Sequence, residues 1–188
     1  MRESQIILGI DPGSQLLGYA FMEVVPRKRP QLLSMDILDM RKLEKSTAKL
    51  QYIFEALQKL IDVYQPTSAA IEAPFYGKNV QAMLKLGRAQ GTAMVAVVCK
   101  GIEIVEYSPR TVKKAVTGKG NATKEQLAGM LPHLVKGDIN TAFLDATDAL
   151  GVAFCHYLQT QTSVGKDKKY SGWDGFLKAN PNRESKTK

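Results

Sequence analysis

Four carboxylates carry the chemistry this sequence could do: Asp11, Glu72, Asp145 and Asp148. Asp11 closes the unbroken run Ile-Ile-Leu-Gly-Ile at residues 6–10, just before Pro12-Gly13 turns the chain. Such a run suits a central strand covered on both faces. An acid at its end stands at the rim of the sheet, where α/β folds bind their ligands. Glu72 closes a second apolar run, residues 68–72, and Ala73-Pro74 follows it. Asp145 and Asp148 open a third apolar stretch, and a spacing of three puts both carboxylates on one helix face. Taken singly, each acid has a plainer reading: a turn opener, a solvated strand end, or an anion favoured at a helix N-terminus.

Taken together they pose an electrostatic problem. Two carboxylates 4 Å apart at an effective dielectric of 20 repel by about 4 kcal/mol. Four in one cleft therefore require protons or cations among them. Oxygen ligands without a nearby His or Cys suit Mg²⁺ or Mn²⁺ rather than zinc. A pair of such ions can clamp the attacking and leaving oxygens of a phosphodiester and prepare a water as nucleophile. His156 falls two helical turns beyond Asp148, about 11 Å away, and is expected outside the site.

To bring the acids together the chain must fold around the first run. Residues 17–25 and 32–40 read as further strands, joined through Pro26-Arg27-Lys28-Arg29-Pro30, and connections this short favour antiparallel neighbours. A helix over 46–64, capped by Ser46 or Thr47, repeats Leu50, Ile53, Phe54, Leu57, Leu60 and Ile61 at threes and fours. The strand at 68–72 comes next. A second helix over 79–98 contains Gly87 and Gly91, each costing about 1 kcal/mol relative to Ala, which predicts a compensating close backbone contact. After a fifth strand at 102–107, Ser108-Pro109 opens a short helix bearing Arg110, Lys113 and Lys114. Thr123 and Gln126 have the spacing of a capping box for the next helix, and the last runs from 144 to about 160. The fold class is α/β: a five-stranded mixed sheet, three antiparallel strands then parallel ones, with helices on both faces. If strand 68–72 pairs beside the first strand, Asp11 and Glu72 end at one rim.

The totals set limits on partners and location. At 188 residues the chain suits one domain with a proper core, residues 1–162. Residues 163–188 are rich in Gly, Ser, Lys and Asn without periodicity, which predicts a mobile basic tail. No apolar run approaches the roughly 18 residues of a membrane span, and no signal-peptide pattern opens the chain. Cys99 and Cys155 lie in apolar helical stretches and are expected to be small buried hydrophobes, which fits a reducing cytoplasm. The net charge of +8 and pI near 9.4 point to a polyanionic partner, most simply nucleic acid.

Four stretches, GIDPGS at 9–14, IEAPFYGKN at 71–79, MLKLGRAQG at 83–91 and DATDALGVA at 145–153, together resemble the RuvC family of Holliday-junction resolvases. The resemblance is collinear from residue 6 to about residue 158. It implies an RNase H-like fold, a homodimer, and Mg²⁺-dependent cutting of four-way DNA junctions, with Mn²⁺ able to substitute. It implies that Asp11, Glu72, Asp145 and Asp148 are the catalytic acids that bind metal. Phe75 matches the aromatic that wedges into the unpaired junction centre, and Lys113 and Lys124 match basic residues near the scissile phosphate. Partnership with the RuvA–RuvB branch-migration machine is implied as well. The sequence departs from the family pattern at Gly151, where Ala is more usual, and in the tail bearing Trp173 and Phe176.

The residues themselves leave alternatives beside these roles. Phe75, in a Pro-Phe-Tyr-Gly loop, could stack on an unpaired base, worth about 1–3 kcal/mol, or anchor its loop in the core. Lys78, Lys85, Arg88, Arg110, Lys113 and Lys124 could contact phosphates or stay solvated, the commoner fate of such charges. Two matched cuts on two-fold related strands call for a C₂ dimer, and helix 79–98 is the candidate interface or else an internal helix. Strand-Asp-x-Gly also opens the phosphate loop of actin-like ATPases and sugar kinases, which need a second domain. A non-catalytic junction-binding protein and an RNase H-like nuclease on another substrate are the remaining rivals.

Overall fold

The computed structural model describes residues 4–74 and 79–163. The chain divides into two compact units, Met1–Leu158 and Gln159–Lys188. The first unit contains the strands β1 (Gln5–Asp11), β2 (Leu16–Val24), β3 (Gln31–Asp39), β4 (Ser68–Glu72) and β5 (Ile104–Tyr107). The helices are α1 (Ser46–Tyr64), α2 (Val80–Val98), α3 (Pro109–Thr117), α4 (Lys124–Leu134) and α5 (Leu144–Ser163). One mixed sheet has the order β3-β2-β1-β4-β5. The strands β3, β2 and β1 are antiparallel, and β1, β4 and β5 are parallel, as the connection lengths require. Among the described residues no helix is long and apolar enough to cross a membrane.

The apolar run at 6–10 is the middle strand, buried on both faces. Its alternate residues split between two cores: Ile7 packs towards α3, α4 and α5, whereas Leu8 and Ile10 pack towards α1 and α2. By the same alternation Gly9 and Asp11 face α5. On β4, Ala70 belongs to the α5 side and Ala69 and Ile71 to the other, so Glu72 also faces α5. Ile10 pairs with Ile71 across the parallel junction, which leaves Asp11 and Glu72 side by side one residue further on.

Helix α5 is buried all round from Ala146 to His156, as a central helix must be. It lies very close to the sheet because the strands beneath it carry no side chains at two points. A Cβ on Gly9 would stand 2.1 Å from the Ala149 carbonyl oxygen, and one on Gly18 would stand 2.0 Å from the Asp145 carbonyl oxygen. Gly18 is the register partner of Asp11. These two glycines set the depth at which Asp145 and Asp148 meet the end of β1. Motif and charge reasoning passes over both, although a glycine inside a strand is a sign of close backbone approach.

Several local expectations need correction. Helix α1 starts after Lys45, which makes no side-chain cap; Ser46 is its first helical residue and Thr47 its second. Cys155 is fully buried, but Cys99 is exposed because it follows the last turn of α2 at the surface. Among the described residues, no atom outside the local turn of α2 lies within 4 Å of where a Cβ on Gly87 or Gly91 would stand, so the close contact expected there is not made among them. The capping box of Thr123 with Gln126 and the Ser108 cap of α3 form as the sequence indicates.

The β2–β3 connection is tied to the end of α4. Pro132 lies in the last turn of α4, and the Arg29 guanidinium donates to the carbonyls of Pro132 and Val135. Backbone hydrogen bonds Lys136 N–Pro30 O and Leu32 N–Lys136 O extend the link. Arg29→Ala is expected to cost about 1–2 kcal/mol, seen as a lower urea midpoint with an unchanged m-value.

Candidate active site

The acids reach one place by three routes. Asp11 arrives at the end of the central strand, Glu72 at the end of its parallel neighbour, and Asp145 and Asp148 on the first turn of α5. Carboxylate oxygens of Asp11, Asp145 and Asp148 all lie within 4.8 Å of one another. Glu72 is not in that tight group but lines the adjoining cleft with Asp148, Arg110, Lys113 and Lys124. The cleft has a volume of about 460 Å³, with acids along the strand ends and α5 and cations along α3 and α4.

Lys124 is the first residue of α4, held in position by the Thr123 capping box. Its Nζ lies 2.5 Å from Asp148 Oδ2 and 3.3 Å from Asp145 Oδ1. Burial opposes the Lys124 charge, but the hydrogen bond to Asp148 and the charges of Asp148, Asp11 and Asp145 outweigh it and raise its pKa. Arg110 projects from the first turn of α3 beside Gly120, where a Cβ would stand 2.7 Å from Arg110 Cγ. The Gly118–Asn121 loop thus leaves room for Arg110 at the cleft wall.

The ionised acids are destabilised first by burial and then by their own proximity. Burial, then the charges of Glu72 and Asp148, hold the Asp11 carboxyl well above the usual range. Burial and the Asp148 charge push Glu72 up to about 7, against the opposing pull of Lys124 and Lys113. Asp148 is raised by burial despite its hydrogen bond from Lys124. A closely spaced set of oxygen donors without His or Cys among them is what a hard divalent cation such as Mg²⁺ or Mn²⁺ takes, so the donor chemistry fits.

The raised carboxyl pKa has a definite sign in stability. An acid whose pKa is higher folded than unfolded stabilises the fold below its unfolded value, near 4.5 for Glu72, and loses that contribution as pH rises through about 7. In chelator, Glu72→Gln is therefore expected to be more stable than the parent at pH 8 by about 2–3 kcal/mol. The two should converge by pH 4, and urea denaturation at both pH values measures this.

The other sequence-derived candidates divide clearly. Phe75 and Lys78 lie outside the described residues, as do Trp173 and Phe176. Lys85 and Arg88 are exposed on α2, and Lys85 lines a different cavity. His156 is buried, with Nδ1 3.0 Å from the Tyr107 hydroxyl, and takes no part in the acid cluster.

A family model described as crossover junction endodeoxyribonuclease RuvC matches residues 7–156. The chain is 48% identical over 184 residues to the crossover junction endodeoxyribonuclease RuvC of Bacteroides fragilis, with 96% of each chain covered. It is 46% identical over 184 residues to that of Christiangramia forsetii, covering 97% of this chain and 94% of the relative. Among solved structures it superposes on T. thermophilus RuvC in complex with Holliday junction substrate with a TM-score of 0.78 and 25% identity, covering 85% of this chain and 96% of that one. The yeast mitochondrial Holliday junction resolvase Ydc2 shares the fold, with a TM-score of 0.63, 12% identity, and coverage of 86% and 85%.

Proposed function

The chain belongs to the RuvC family of crossover junction endodeoxyribonucleases, with the family's RNase H-like fold, and from that premise we propose how it resolves four-way DNA junctions. The scissile phosphodiester lies over Asp11, Glu72, Asp145 and Asp148, which would hold Mg²⁺, and is hydrolysed there; symmetric nicks in the two strands related by the two-fold axis release two duplexes. Such ions, when bound, supply Lewis acidity toward the phosphate and lower the pKa of a water. Asp11, Asp145 and Asp148 supply the closely spaced oxygen ligands, and Glu72 adds a donor at the cleft side. Lys113, Lys124 and Arg110 draw the DNA backbone onto the opposite wall and offset the phosphate charge. Phe75 and Lys78 are assigned to DNA contact on their motif alone. The catalytic domain is assigned to residues 1–162, where the family match ends just short of its boundary, with the basic segment 163–188 outside it.

The observation that carries this reading is the meeting of carboxylates from β1 and α5 within 4.8 Å, opposite a cationic wall. The purified chain with Mg²⁺, given a labelled four-way junction and a linear duplex of the same sequence, should place paired nicks in the junction only. Equal cutting of the duplex would transfer the protein to a different substrate, and no cutting of either would remove the catalytic reading.

The active assembly is a homodimer built on α2. One face of α2 buries Ala89, Gln90, Ala93, Ala96 and Val97 against the rest of the fold. The opposite face exposes Val80, Leu84, Val95 and Val98, with Gly87 and Gly91 between them. Taken inward from both ends this stripe is nearly symmetric: Val with Val, Leu with Val, Gly with Gly. An antiparallel crossing of two copies about its centre would match each residue to its counterpart, as an isologous contact requires. The central glycines would let the backbones approach closely. Leu84→Glu with Val95→Glu is expected to weaken the dimer at least 100-fold, giving a monomer in light scattering, and to uncouple the two nicks. Association with RuvA–RuvB and a cytoplasmic location extend the reading by family membership and by the nature of the substrate.

A further inference from the structure

Lys124 meets two of the clustered acids at once. Its Nζ lies 2.5 Å from Asp148 Oδ2 and 3.3 Å from Asp145 Oδ1. With Asp11, these are the acids whose carboxylate oxygens lie within 4.8 Å of one another. The ammonium therefore holds two of the three carboxylates that a divalent ion would share. The Asp148 side chain is 8% exposed and the Lys124 side chain 46%, so the acid is fixed and the cation has room to leave. The capping box anchors the backbone of Lys124 at the start of α4, and its flexible stem lets the head turn without moving the helix. Lys124 also lines the 460 Å³ cleft, together with Arg110 and Lys113. Among the described residues, Lys113 forms no ion pair with these acids.

We propose that the Lys124 ammonium competes with the divalent ion for Asp145 and Asp148. A junction phosphate entering the cleft draws the ammonium away, and the acids then hold the ion more tightly. The inference deepens the nuclease reading and rests on it. An ammonium and a divalent ion on the same two carboxylates repel twice as strongly as two single charges at that distance. A carboxylate as enclosed as Asp148 needs a cationic partner, and either cation can serve. A phosphate oxygen accepts the same charge-assisted hydrogen bond that the carboxylate gives up, so every charge stays paired through the exchange. By linkage, the factor by which the junction tightens ion binding is the factor by which the ion tightens junction binding. One side chain would thus reserve firm metal binding for the protein with substrate in place.

The test is Mn²⁺ binding to the full chain, followed by electron paramagnetic resonance of the free ion and taken as the component absent in Asp11→Asn. Without DNA, Lys124→Gln and Lys124→Met should each bind Mn²⁺ about tenfold more tightly than the parent. Lys113→Gln removes a charge from the same cleft but no ion pair, and should stay within about threefold of the parent. The second arm adds a four-way junction with bridging methylene phosphonates across its central nucleotides, which keep the charge and resist hydrolysis. The junction should tighten Mn²⁺ binding by a factor about tenfold larger in the parent than in either Lys124 variant. Urea midpoints verify that the variants are folded. Equal tightening in Lys113→Gln and the Lys124 variants would reduce the effect to general charge and overturn the proposal. Folded Lys124 variants that bind the ion no better than the parent would overturn it, as would an equal gain from the junction in parent and variants. Failure of the parent and every variant to bind Mn²⁺, with the junction or without it, would instead overturn the metal-dependent nuclease reading itself.

Discussion

Asp11→Asn is expected to slow junction nicking by roughly 10³-fold or more, about 4 kcal/mol of barrier, while junction binding in chelator stays equal or tightens. The sign of the binding effect follows from charge: the substitution removes an anion from a surface that must accept a phosphate. It should also stabilise the chelated protein at neutral pH. Asp11 is held well above the usual carboxylate range by burial and by Glu72 and Asp148, so its ionised form opposes the fold. Loss of activity joined to a gain in stability marks a residue kept for its chemistry. A structural acid would give the reverse, with stability, binding and nicking falling together. Nicking rate, junction affinity in EDTA and urea denaturation of one variant separate the two cases.

Gly18→Ala should damage the same site from below. Its Cβ would stand 2.0 Å from the carbonyl oxygen and 2.5 Å from the carbonyl carbon of Asp145, both backbone atoms that cannot rotate away. Either α5 lifts from the sheet or β2 bends, and such overpacking costs about 3 kcal/mol or more. Because the collision is at Asp145 itself, the shift falls on the carboxylates that converge with Asp11. Nicking is therefore expected to drop about 100-fold or more in the protein that remains folded, since catalytic groups tolerate displacements of only a fraction of an ångström. A variant with parental urea midpoint and parental nicking would show that α5 does not need to lie so close. Addition of a methyl at Gly87, with open space beyond it, serves as the contrast in the monomer's stability.

The acids themselves are legible because each ends or begins an apolar segment, and the strand order follows from short connections and two helical crossovers. The side on which Asp11 and Glu72 point also follows from simple alternation once β4 is placed beside β1. Gly9 and Gly18 are not legible as spacers, because their reason is the backbone of a helix far along the chain. Lys124 is named by the family resemblance, but as a lone lysine at a helix start it could equally be solvated, and its contact with Asp148 follows only from how the fold places α4 beside α5. Cys99 misleads because an apolar helical stretch predicts burial until the helix reaches the surface.

The nuclease reading stands on Asp11, Asp145 and Asp148 holding a divalent ion in common. Anomalous diffraction from crystals soaked in Mn²⁺ tests this most directly. The expected result is a strong peak bonded to carboxylate oxygens from both β1 and α5, and loss of that peak in Asp11→Asn. A peak elsewhere, or none at millimolar Mn²⁺ in a crystal of the active protein, would contradict it.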